Sequence, residues 1–165
     1  MRSEIVGTTA LWIMLGVAFV VSFSADRATE KLKEVMSAFL VVLALQCLHF
    51  AEEFTTGFQR LFPPRLGLVP WPDSFFVIFN ATWLCIWALT AAAILAGRSS
   101  RLVATPVWFL AFGAIANGIA HPLLSLAAGG YFPGLFTAPV LGVAGLVLLR
   151  RLTRARDDKP AAAGT

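Results

Sequence analysis

The chain has 165 residues, of which 58% are hydrophobic and 13% charged, and its mean hydropathy of +0.79 excludes an ordinary soluble domain. The net charge of +4 and pI near 9.7 do not point to nucleic acid, because the basic residues cluster at the ends of apolar segments, where they orient a membrane protein. A crossing helix takes about 20 apolar residues, so the composition predicts an all-α integral membrane bundle of about five crossings in one domain, 1–150.

The first expected span is 5–24, too long and continuous for a signal peptide and without an Ala-x-Ala cleavage pattern after it. Asp26 to Glu34 mixes acids with Arg27, Lys31 and Lys33, and reads as the water-exposed start of a second span over 35–58. Between Gln59 and Asp73, Pro63, Pro64, Pro70, Pro72 and Gly67 argue against regular helix and for an apolar interfacial flap. Asp73 or Ser74 is placed to cap a third span, 75–96. A fourth follows over 102–128, then a Gly-rich turn and a short fifth over 131–149. The remainder, 151–165, is basic, then Ala-rich, and reads as a disordered tail. Cys47 and Cys85 lie inside spans without Cys-x-x-Cys spacing, which predicts neither a disulfide nor a zinc knuckle.

With these spans, ten Lys and Arg fall on one side of the bilayer, while Arg2, Arg60 and Arg65 fall on the other. The positive-inside rule then puts the N-terminus outside and the C-terminus in the cytoplasm of a multi-pass plasma-membrane protein.

Against that background His49, Glu52 and Glu53 stand out. An ionisable side chain in hydrocarbon costs at least roughly 2.5 to 3.5 kcal/mol on insertion scales, so three within five residues mark a functional site. Spacings of i, i+3 and i+4 predict one shared helix face, extended by Gln46 and Thr56. Asn117 and His121 in the fourth span, and Asn80 in the third, reach a similar depth, with Tyr131 above them. Together they outline one polar pocket in the outer half of the bundle, walled by aromatic residues such as Phe76, Phe79 and Trp83.

His49 to Glu53 spell His-x-x-Glu-Glu, Asn117 to His121 spell Asn-x-x-x-His, and Tyr131 to Gly134 spell Tyr-x-Pro-Gly. In this order the chain resembles the HXXEE domain family of small membrane proteins, a resemblance that covers roughly Val35 to Leu149. It implies a group of presumed enzymes of unsettled chemistry and supplies site positions without a substrate. A looser likeness, in architecture and residue type only, is to the emopamil-binding type of sterol isomerase.

The expected catalytic residues are His49, Glu52, Glu53, Asn117, His121 and Tyr131, with Gln46, Thr56, Asn80 and Trp83 lining the substrate pocket. No Lys or Arg lies at this depth, so a proton, an imidazolium or a metal must balance the two carboxylates. The first reading is general acid/base chemistry, such as isomerisation, cyclisation or hydration, on a lipophilic small molecule, with one carboxyl protonated and the other a base. The alternative is zinc or iron held by His49, Glu52, Glu53 and His121, for hydrolysis or oxygen chemistry. Proton-coupled transport and simple hydrogen-bonded gluing of helices are the remaining readings. Gly113, Ala116, Gly118, Gly142 and Gly145 allow close helix approach, within a bundle or across a homodimer.

Overall fold

The computed structural model describes residues 2–24 and 32–157. Among them the chain is helical, with no strand. Seven helices follow in order: α1 Arg2–Gly7, α2 Thr9–Ser24, α3 Leu32–Thr56, α4 Phe58–Arg65, α5 Asp73–Leu95, α6 Arg101–Ala128 and α7 Ala138–Asp157. Three of them, α3, α5 and α6, are long and apolar enough to cross a membrane, and α2 is a shorter apolar helix. Of the expected water-exposed stretch Asp26 to Glu34, residues 26–31 lie outside the described residues, and from Leu32 the chain is α3.

Helix α6 is the axis of the bundle, packing against α2, α7, α5 and α3. Ser100 caps its start by accepting from the Val103 N–H at 3.2 Å, and Gly129, with φ at 70°, closes its end. Small residues bring α7 against it. A Cβ on Gly118 would lie 3.2 Å from the Ala138 carbonyl oxygen and closer still to Gly142 Cα, and one on Gly145 would sit 2.8 Å from Ala114 Cβ. Gly118, Gly142 and Gly145 are therefore used inside the bundle, whereas Gly113 and Ala116 border a cavity. Phe39, Val42, Trp108, Leu110, Leu141 and Leu148 fill the lower core. There a Ser22 to Thr105 hydroxyl bond of 2.7 Å ties α2 to α6.

Three local expectations are corrected. The Pro-containing segment is not all flap: residues 58–65 form α4, with Pro63 and Pro64 in its last turn. Proline at 63 cannot donate to the Gln59 carbonyl, and that oxygen accepts instead from the Trp71 N–H at 2.9 Å, which folds the following loop back over the helix. Asp73 does not cap α5 but is its first residue, and its carboxylate pairs with Arg60 at 2.6 Å and Gln59 at 2.9 Å. Finally, Tyr131 to Thr137 is a series of turns, so the last helix starts at Ala138 rather than 131 and runs on through the expected tail to Asp157. Burial of Leu152 one turn after Leu148 explains that extension, since both lie on the face packed into the core. Residues 158–165 are not among those described.

Gly118→Val would force the α6 and α7 backbones apart and should cost about 1 to 3 kcal/mol, read as a lower melting temperature in detergent. Gly113→Ala, where a Cβ meets nothing within 4 Å, should leave that temperature unchanged.

Candidate metal centre

The helix α3 carries His49 and Glu53 one turn apart and pointing inward, 0% and 6% exposed; α6 brings His121, 2% exposed, from the opposite side. Glu53 Oε1 lies 3.6 Å from His49 Nε2 and 3.3 Å from His121 Nε2, and one ligand atom from each residue falls within 4.8 Å of the others. The two rings meet edge to face, with centroids 4.7 Å apart.

The turn between α6 and α7 decides which nitrogens carry protons. Pro133 offers only a carbonyl, so His121 Nδ1 donates to it, at 2.6 Å. The Thr137 hydroxyl donates to Glu52 Oε2 at 2.5 Å; its one proton thus used, its oxygen accepts from His49 Nδ1 at 2.8 Å. In their neutral form both imidazoles are thereby Nδ1–H tautomers, with both Nε2 lone pairs facing Glu53. His49 Nε2 has no hydrogen-bond partner although it is buried. Three acceptor atoms converging without a proton between them repel one another, whereas a cation at their centre satisfies all three.

Glu52 does not join them. Successive residues on a helix are about 100° apart, which turns Glu52 out of the cluster and toward the α6–α7 turn. There it accepts from Tyr131 Oη at 2.8 Å, Phe136 N at 3.0 Å, Thr137 N at 2.8 Å and the Thr137 hydroxyl. The expectation of two carboxylates in one sector is corrected accordingly: one faces the cluster, and the other anchors the turn that orients both histidines. Gly134, at φ 88°, lies directly against the rings; a Cβ there would be 2.5 Å from His121 Cε1 and 2.8 Å from His49 Cε1.

The remaining expected residues separate in the same way. Gln46, Asn80, Trp83 and Asn117 line a cavity of about 230 Å³ that also reaches Glu53 and His121. Asn80 donates to the Phe76 carbonyl of its own helix, at 3.0 Å. Thr56 is exposed; its hydroxyl donates to the Glu52 carbonyl of its own helix at 2.6 Å and lies against the Tyr131 hydroxyl. Phe76, Phe79 and Trp87 join the wall. Above the cluster Phe58 stacks 5.4 Å from His121 and packs with Trp71, Phe76 and Phe132, a roof that keeps bulk water away. Thr137, Pro133 and Gly134 are the contributors that sequence reasoning did not assign.

Imidazole 15N chemical shifts should show Nδ1 protonated and Nε2 unprotonated in both histidines, and Thr137→Val should disturb only His49.

A sequence model described as a protein of unknown function with an HXXEE motif matches residues 40–148. No curated protein and no solved structure matches the chain.

Proposed function

As the chain belongs to the HXXEE family, a group described without a function, we propose from the geometry that it is a membrane-embedded metalloenzyme acting on a lipophilic small molecule. His49, Glu53 and His121 supply the ligands. The observation that carries this reading is the pair of Nε2 lone pairs, fixed by Thr137 and Pro133, aimed at one carboxylate oxygen. Two imidazoles with a carboxylate suit zinc or ferrous iron and leave coordination positions free for water and substrate. Separations of 3.3 and 3.6 Å from Glu53 Oε1 to the two Nε2 atoms suit ligands at about 2.0 to 2.1 Å from one ion, and the 4.8 Å that bounds all three atoms leaves the imidazoles to draw in on it.

A zinc or ferrous ion held by His49, Glu53 and His121 would supply a Lewis acid for a substrate carbonyl and for water near neutral pH. Hydrolysis of an ester or amide follows. Glu52 supports this work as a positioning residue, since the Thr137 hydroxyl that orients His49 is itself held by its carboxylate. Tyr131 acts at the same place, closing one end of the turn on Glu52 Oε1.

Acid/base catalysis without metal is the second reading, supported by the 3.3 Å approach of Glu53 to His121, close enough to share a proton. It would rest on Glu53 and the histidines alone, because Glu52 is saturated by its four donors.

For the membrane, we read α2 and α7 as two further crossings beside α3, α5 and α6. The excess of Lys and Arg in one set of connections supports a C-terminus in the cytoplasm and a plasma-membrane location.

Protein purified in detergent without chelators should carry near-stoichiometric zinc or iron by plasma mass spectrometry. The His49→Ala, His121→Ala double variant and Glu53→Gln should each lose most of it. Metal-free wild-type protein would transfer the case to acid/base chemistry. Glu52→Gln places an amide N–H against donors and should cost about 1 to 3 kcal/mol of stability, read by thermal unfolding.

A further inference from the structure

The cavity below the candidate metal centre has the shape and polarity of a lipid-chain site. It runs along α6 from His121 to Leu110, a rise of about 16 Å at 1.5 Å per residue, and its volume of about 230 Å³ spread over that length leaves it narrow. An alkyl chain suits a slot with this apolar lining. Met14, Trp83, Trp87, Phe109 and Leu110 make its lower wall, and no Lys, Arg or Asp among the described residues lines it. The other end continues to Gly7 and Thr8 beneath Trp71.

Where slot and cluster meet, two carboxamides interrupt the apolar wall. Gln46 lies one turn before His49 on α3, and Asn117 one turn before His121 on α6, so each is carried to the same level as the cluster. Neither makes a side-chain hydrogen bond to another described residue, although Gln46 is 7% exposed. Both line the cavity, Asn117 being half-buried, and their N–H groups can donate to an acceptor on whatever enters.

We infer that the substrate is a neutral single-chain acyl ester or amide, its chain in the α2–α5–α6 slot and its carbonyl between the metal and the Gln46 and Asn117 carboxamides. The inference rests on the metal reading, because a divalent ion with one carboxylate leaves the centre positively charged, which repels an amine and favours a carbonyl oxygen. In the reaction a water oxygen bonds to the acyl carbon and the bond to the leaving oxygen or nitrogen breaks. One water proton goes to that leaving atom, giving a fatty acid and an alcohol or amine, and no oxidant or reductant is consumed. The space beneath Trp71 receives the leaving fragment.

The test is photolabelling of the full-length protein in detergent with a palmitic acid methyl ester carrying a chain-terminal diazirine. Labelled peptides are mapped, with methyl palmitate and hexadecylamine as competitors. Label should fall on the Trp87 and Phe109 segments, methyl palmitate should compete better than the amine, and Gly113→Leu should cut labelling about tenfold with metal content unchanged. That variant is suitable because a side chain at Gly113 enters the slot without touching backbone. A Gln46→Leu, Asn117→Leu double variant should weaken ester labelling severalfold but leave labelling by a diazirine alkane unaltered. Label spread over outward-facing residues such as Ile78 and Leu123, and equal in Gly113→Leu, overturns the inference while leaving a metal-loaded centre standing. Slot labelling in a metal-free protein, with hexadecylamine the better competitor, brings down the metal reading and the acyl assignment together.

Discussion

The carboxylate of Glu52 holds the turn between α6 and α7 against α3, and the cluster depends on that attachment. Four donors from Tyr131, Phe136 and Thr137 converge on it. Because that turn also presents the Pro133 carbonyl and the Thr137 hydroxyl, fixing it fixes the protonation of both imidazoles. A carboxylate in a greasy helix is costly alone but well satisfied by several hydrogen bonds, which explains why Glu52 can sit beside Glu53 without a Lys or Arg nearby. Hydrogen bonding of this outer layer is a recurring device for orienting metal-binding histidines.

Packing around the cluster serves the same end. The Gly118–Gly142 approach sets α7 close to α6, so that the short turn joining them can reach back to α3. Gly134 lets the turn lie flat against the rings, where any larger residue would displace them. The aromatic roof of Phe58, Trp71, Phe76 and Phe132 excludes water, which strengthens every electrostatic interaction beneath it. Trp71 reaches that place because Pro63 leaves the Gln59 carbonyl free to accept its backbone N–H.

Much of this was legible in the residues alone. The helical class, three helices long and apolar enough to cross a membrane, and the meeting of His49, Glu53 and His121 follow from hydropathy and from residue rise along helices. What periodicity could not supply was the division of labour between Glu52 and Glu53. Neighbouring side chains differ by about 100° of rotation, and only the position of the α6–α7 turn decides which partner each meets. Thr137 carried no signal for the same reason, and Pro133 and Gly134 stood only as letters of the Tyr-x-Pro-Gly motif, since a hydroxyl, a carbonyl and a missing Cβ acquire their roles only once the rings are beside them. Similarly, Thr56 continues the stripe on paper but is exposed and meets Tyr131 rather than the cavity, and helix α4 was hidden by prolines that its last turn tolerates.

X-ray absorption at the metal edge of purified protein tests the central claim most directly. Two imidazole nitrogens and a carboxylate oxygen at about 2.0 to 2.2 Å, with the outer-shell scattering of two rings, are the predicted signature. A spectrum with an oxygen-only shell and no imidazole scattering, or no edge above background, would contradict a metal held by His49, Glu53 and His121.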